Sequence, residues 1–186
     1  MSAQALHPLP LSPEEYLAME SSSAVKHEYV AGYIYAMSGA SDTHNIITGN
    51  LYMELRNHLR GTPCRTYMAD MKARINPANC FYYPDILVSC EKPENPYYRE
   101  QPILVIEVLS PSTAQQDRGE KWRDYQTLPS LKEYVLVSQD SMDARVFRRD
   151  EAGQWRQAVY TDGMVIPLAS VGLEIPIEQV YDEAWG

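Results

Sequence analysis

No stretch of this sequence is apolar enough to cross a bilayer. The longest apolar runs, such as residues 103–109, fall far short of the roughly 20 residues that a membrane-spanning helix needs, and Glu107 interrupts that one. The first twelve residues have neither a basic cluster nor a continuous apolar core, so they do not read as a secretory signal, and a cytoplasmic location is the default. No internal repeat is visible. Cysteine is scarce: Cys64, Cys80 and Cys90 are odd in number and lack C-x-x-C spacing, which argues against a disulfide framework and a thiolate zinc site. They are expected to be reduced and structural. The four histidines, His7, His27, His44 and His58, are too dispersed to form a metal motif. Only two phenylalanines stand against 14 tyrosines, a bias that suits strands.

What is present is an ordinary globular composition. Hydrophobic residues are 45% and charged residues 22% of 186, which excludes both a disordered and a fibrous chain. A chain of this length buries roughly 70% of its unfolded surface, enough for one unstapled core. The expected organisation is a disordered segment over residues 1–10 and a single domain over 11–186. The net charge of −9 opposes nucleic-acid binding, since non-specific affinity rests on Lys and Arg neutralising phosphates. Its distribution softens the objection. All 16 basic residues lie between Lys26 and Arg156, and against the 17 acids of that span they leave −1. A nucleic-acid partner is thus permitted.

Local signals order the elements. Ser12, Pro13 and Glu15 form a capping box with proline at the first helical position, flanked by Leu11 and Tyr16 as a staple, for a helix ending near Glu20. Ala31-Gly32 joins a hairpin. Ser41 to Thr43 cap a longer helix with Ile47, Leu51, Leu55 and Leu59 on one stripe, stopped by Gly61. Strands are expected at 65–69, 72–76, 81–90 and 102–109, then a helix over 117–128 that Pro129 ends, then strands at 133–138, 144–149 and 155–160 and a short helix near Ile177. The order predicts an α+β fold with a mixed central sheet flanked by helices.

Two lone carboxylates carry the chemistry: Asp85 in Tyr83-Pro-Asp-Ile-Leu-Val88, and Glu107 in Ile103-Leu-Val-Ile-Glu-Val-Leu109. If these strands pair antiparallel about Pro96, Asp85 faces Glu107 directly. Cβ atoms there are about 5 Å apart, and like charges so placed repel unless compensated. A divalent cation compensates, and oxygen donors without thiols favour Mg²⁺ or Mn²⁺. Such an ion leaves positions for water and a substrate phosphate. Beyond Glu107, the i, i+4, i+7, i+8, i+11 spacing of Asp117, Lys121, Asp124, Tyr125 and Leu128 puts them on one stripe, from which Lys121 and Tyr125 can face the carboxylates. Taken singly, Lys121 is a solvated helix-face residue, Glu28 is uninformative and His44 is a cap or surface residue. Loss of Lys121 is expected to lower turnover and to leave folding nearly unaffected.

In combination these residues resemble the PD-(D/E)xK nuclease superfamily and, within it, the bacterial Uma-type group of restriction-endonuclease-like proteins. The resemblance runs over roughly residues 11–181. It is carried by His27-Glu28-Tyr-Val-Ala-Gly32, His44, Pro84-Asp85, Glu107-Val-Leu-Ser-Pro-Ser-Thr113, Asp117 with Lys121 and Tyr125, and Glu133-Tyr-Val-Leu-Val137. It implies a restriction-endonuclease-like fold, Mg²⁺ ligation by Asp85 and Glu107 with Glu28 as a further ligand, and the lysine role for Lys121. The superfamily pattern puts lysine two residues after the Glu, where this chain has Leu109, so Lys121 would replace it from the helix. Trp after Glu-Tyr and a strand-closing Asp are also replaced, by Val135 and Ser138.

The expected function is metal-dependent endonucleolytic hydrolysis of phosphodiesters in DNA by a homodimer. Asp85, Glu107 and Lys121 would be catalytic, with Glu28, His44 and Tyr125 as additional site residues. A catalytically silent binding or scaffolding module is the rival from another class. A metal-dependent hydrolase of small phosphorylated molecules is a second rival, favoured by the acidic charge.

Overall fold

A computed structural model describes residues 10–92 and 94–185 of the chain. The expected disordered segment, but for Pro10, lies outside the described residues. Helix α1 (Pro13–Glu20) starts at the foreseen capping box: Glu15 N–H donates to Ser12 Oγ and Ser12 N–H to Glu15 Oε2. Strands β1 (His27–Val30) and β2 (Tyr33–Ala36) form the hairpin. Ala31 and Gly32 both take positive φ, as a two-residue primed turn requires. Glycine is needed at position 32 for a second reason, since a Cβ there would come within 2.7 Å of the Pro10 Cβ.

Helix α2 (Asp42–His58) is capped by Ser41. Strands β3 (Arg65–Met68), β4 (Lys72–Ile75), β5 (Cys80–Tyr82), β6 (Ile86–Ser89), β7 (Tyr98–Arg99) and β8 (Pro102–Leu109) follow. The single strand expected over 81–90 is in fact two. Between them lie Tyr83, Pro84 and Asp85, and Pro84 has no N–H to give to a ladder, so the chain leaves one sheet and enters another there. Helix α3 (Ala114–Gln116), a π-helical turn (Asp117–Lys121) and helix α4 (Trp122–Tyr125) replace the uniform helix expected over 117–128. Strands β9 (Glu133–Ser138), β10 (Asp143–Arg149), β11 (Trp155–Thr161), β12 (Val165–Leu168) and β13 (Leu173–Pro176), then helix α5 (Ile177–Val180), complete the chain. The β12–β13 hairpin was not foreseen, because Pro167 and Pro176 obscure its strand pattern.

The fold is mixed α+β. The smaller sheet runs β2-β1-β5-β4-β7, the second, central one β11-β10-β9-β8-β6-β3, and β12 and β13 form a separate two-stranded sheet. The second is mixed, with β8 and β9 parallel and its other pairs antiparallel. The β6–β8 register is the one deduced from symmetry about Pro96: Ile86 faces Ile106, Leu87 faces Val105, and Val88 faces Leu104, with a one-residue shift at Ser89. Pleating then sorts β8. Leu104, Ile106 and Val108 pack with Ile47, Leu51, Leu55 and Leu59 of α2, while Val105 and Leu109 pack with Tyr125, Leu128 and Leu131. Glu107, in step with Val105 and Leu109, therefore falls on the side of the π turn. A third core of Tyr16, Tyr29, Ile34 and Phe81 ties α1 to the first sheet.

The cysteine expectation is corrected in part. Cys64 and Cys90 are joined by a disulfide, and Cys80 is free and buried. Arg65 faces Ser89 across the β3–β6 pair, so Cys64 and Cys90 continue that ladder by one step. Only the register brings them together, and spacing in the sequence carries no trace of it.

Glu133 is a fully buried carboxylate at the start of β9. It accepts from Arg148 Nε at 2.6 Å and from the backbone N–H groups of Ala169 and Ser170 at 3.1 and 2.7 Å, which pins the connection after β12 to the central sheet. Glu133→Ala should cost roughly 2–4 kcal/mol, the penalty for stranding buried donors, read as a lower urea midpoint at unchanged slope. Glu133→Gln should recover only part of that loss, because its NH₂ meets donors.

Candidate active site

Four elements deliver side chains to one point. Asp85 sits just ahead of β6, Glu107 near the end of β8, Glu28 in β1, and Asp117 with Lys121 on the π turn. Glu107 Oε2 accepts from the Asp85 backbone N–H at 3.2 Å, and Asp85 Oδ2 accepts from the Val108 N–H at 2.7 Å. These two bonds hold the carboxylates together one step beyond the Ile86–Ile106 pair, where the β6–β8 ladder ends. On the other side, His44 Nε2 lies 3.1 Å from Asp85 Oδ2, and the His44 ring is set by the Ser41-capped first turn of α2.

Lys121 is buried, and its ammonium lies 2.8 Å from Glu28 Oε1, 3.3 Å from Asp117 Oδ1 and 3.6 Å from Glu107 Oε1. Glu28 Oε1 also accepts from the Tyr83 N–H at 3.3 Å. The ring of Tyr82 lies beneath the ammonium, its centroid 5.4 Å away, and the Tyr82 hydroxyl donates to Asp124 at 2.6 Å. Lys121 faces the carboxylates as its spacing suggests, but the expectation that folding hardly depends on it is corrected: among the described residues it is the one cation that meets these three buried carboxylates. Leu109, in the pattern's lysine position, is core. Tyr125 is fully buried between Tyr82 and Tyr134, and its hydroxyl has no hydrogen-bond partner among the described residues. It lies in the packing beneath the site rather than in the cleft.

Charge is unevenly distributed here. Burial raises the Glu107 carboxyl well above its ordinary range; Lys121 opposes this, while Asp117, Asp85 and Glu28 add to it. Burial alone would lower the Lys121 ammonium, but Glu107, Glu28 and Asp117 outweigh it and hold the proton far above the usual lysine range. Burial likewise works against a charged His44, yet the hydrogen bond and charge of Asp85 win and raise it. Tyr125 is raised by burial and by Glu107.

His44, Asp85, Glu107, Asp117 and Lys121 line a cleft of about 460 Å³ that also takes in Lys26, Met37, Tyr83, Ser110 and Thr113. Asp85 is the carboxylate most open to it, its side chain 24% exposed against 4% for Glu107. Among the described residues no three His, Cys, Asp or Glu side chains converge to enclose an ion. Two hard carboxylates, with water and phosphate filling the other positions, are nevertheless how Mg²⁺ is commonly held. Glu107 Oε1 fits that use, being buried and without a hydrogen-bond partner among the described residues. The donor set is therefore compatible with Mg²⁺ or Mn²⁺ at Asp85 and Glu107.

Asp117 belongs to this cluster and was not among the expected site residues, although its i, i+4 spacing from Lys121 was the available signal. Tyr82 and Tyr83 could not have been singled out, because they sit where the break between two sheets was read as one strand.

The comparisons bear on the fold and the lineage. Residues 13–178 match the model of the family Uma2, described as a putative restriction endonuclease. Two uncharacterized proteins of Synechocystis sp. are similar: slr1290 is 38% identical over 92% of this chain and 91% of its own, and sll1609 is 32% identical over 78% and 84%. Among solved structures, a putative nuclease belonging to DUF820 from Anabaena variabilis superposes with a TM-score of 0.78 at 17% identity, covering 95% of this chain and all of that one. That likeness shows the same fold. The chain belongs to the Uma2 family of putative restriction endonucleases.

Proposed function

We propose that the protein is a metal-dependent endonuclease acting on DNA, with Asp85 and Glu107 as the ligands of one Mg²⁺ or Mn²⁺. The observation that carries this reading is the position of Lys121. Its ammonium reaches Glu107 from a separate helical segment while Leu109 fills the usual lysine place. A bound ion would supply a more acidic water and charge screening at the phosphate. Lys121 would offer a fixed positive charge to that water or to the scissile phosphate, where charge develops during attack. Glu28 and Asp117 keep Lys121 protonated and aimed, and His44 holds Asp85 in its ligating orientation. The cytoplasm and a homodimer are the expected setting.

The deciding experiment compares cleavage of single-stranded, duplex and branched DNA with Mg²⁺ or Mn²⁺ against EDTA. Metal-dependent cutting is expected; its absence with every substrate would favour the silent-module reading. Lys121→Ala should lose on the order of 10² to 10³ in turnover while keeping or slightly raising metal affinity. Glu107→Ala should abolish both. Because Lys121→Ala strands three buried carboxylates, it should also cost roughly 3–5 kcal/mol at neutral pH, so its turnover is to be read well below its melting temperature.

Glu107 and His44 both hold protons to higher pH in the folded chain than in the unfolded one. Their contributions are full below the unfolded values, about 4.3 and 6.5, and fade as pH rises through the folded ones. The metal-free protein should therefore melt at progressively lower temperature as pH is raised from about 5 to 8. Millimolar Mg²⁺ or Mn²⁺ should raise the melting temperature, and more so at the alkaline end where no proton competes. Equal melting curves with and without metal would count against the ion site.

A further inference from the structure

One wall of the cleft is unlike its floor. Val25, Met37, Met68 and Ala69 line it beside Asp85. Their placement is fixed by the backbone. Met68 pairs with Ile86, and Ala69 N–H donates to the Asp85 carbonyl at 3.3 Å. Met37 N–H donates to the Lys26 carbonyl at 2.9 Å, extending the β1–β2 hairpin to the rim where Val25 stands half exposed. Cationic side chains are few here. Among the described residues lining the cleft, the basic ones are Lys26, His44 and Lys121, and each already has an acidic partner: Lys26 is paired with Asp70, His44 with Asp85, and Lys121 with the three carboxylates. Tyr83 is almost fully buried, and Lys72 Nζ lies 5.0 Å and Lys26 Nζ 5.9 Å from its ring centroid.

A duplex is gripped chiefly through phosphates by several Lys and Arg, and its bases are shielded by pairing and stacking. This cleft offers the reverse, an apolar wall and few cations beside the carboxylates. Its volume lies in the range that encloses a small organic molecule. Resting on the nuclease reading above, the geometry points to an unpaired nucleotide of DNA as the group the cleft accepts: its base would lie against Val25, Met37 and Met68, and its phosphate would meet the divalent ion that Asp85 and Glu107 would hold. The wall residues are then specificity-determining, selecting single-stranded or frayed DNA over intact duplex. Every base has an apolar face, so contact with such a wall tolerates any base.

The test uses the full chain with Ca²⁺, an oxygen-seeking ion, to read binding by fluorescence anisotropy, and Mg²⁺ or Mn²⁺ to read cleavage. A labelled single strand should bind on the order of tenfold tighter than the same sequence in blunt duplex, and the preference should persist as salt is raised. Val25→Asn and Met37→Gln, which add no charge, should each weaken single-strand binding severalfold. An abasic single strand should bind the parent with a similar loss, and the variants should weaken the abasic strand no further. Equal or tighter binding of duplex, or variant and abasic losses that simply add, would overturn the base wall. Single-strand preference without cutting by Mg²⁺ or Mn²⁺ would leave the wall standing and sink the nuclease reading. Metal-dependent cutting with duplex preferred would do the opposite.

Discussion

Everything at the centre of this molecule depends on one ammonium group held out of water by three carboxylates. Lys121 faces Glu28, Asp117 and Glu107, which come from β1, the π turn and β8, and each of the four is at least 95% buried. A buried charge is costly unless it is paired or hydrogen-bonded, so the three elements are bound to each other electrostatically as well as by their apolar packing. The pairing is incomplete. Three acids meet one base, and neither Glu107 Oε1 nor Asp117 Oδ1 has a hydrogen-bond partner among the described residues. An imbalance of this kind is costly to a structural core, and functional sites are where such costs concentrate.

The scaffold explains how that cluster is tolerated. Glu107 occupies the one acidic position of an otherwise apolar β8, with Val105 and Leu109 on its own side and the α2 contacts on the other. Above it the chain departs from the regular α-helix: five residues form a π turn, with the Tyr134 hydroxyl donating to the Asp117 carbonyl at 3.0 Å. Such turns recur at functional sites because the widened turn redirects side chains. The break at Pro84 has a comparable effect on the other flank. It ends one sheet, starts the next, and leaves Asp85 free of strand pairing, with its carboxylate turned to the Val108 N–H and to His44.

Several structural charges do not belong to this chemistry. Glu133 is fully buried, yet it is satisfied by Arg148 and two backbone N–H groups. Arg99 donates to the carbonyls of Asn95 and Tyr98 and stacks on Tyr67, holding the loop that precedes β8. Burial of a charge therefore does not by itself mark a site. Convergence with an unmet hydrogen-bond capacity, opening to solvent, does.

The sequence by itself determined what local rules govern. The capping box at Ser12, the turn at Ala31-Gly32, the apolar stripe of α2 and the β6–β8 register could each be read from a few neighbouring residues, since caps, positive φ and hydrophobic period are short-range properties. The facing of Asp85 and Glu107 belonged to that class, because one hairpin-like connection set it. Tertiary structure decided the rest. That Glu28 and Asp117 close around Lys121, that Cys64 meets Cys90, that residues 81–90 divide between two sheets and that Tyr125 is packed beneath the site all depend on how distant elements stack. Long-range packing leaves no periodic mark in the chain, and a lysine that balances buried acids is spelled in sequence like one that faces water.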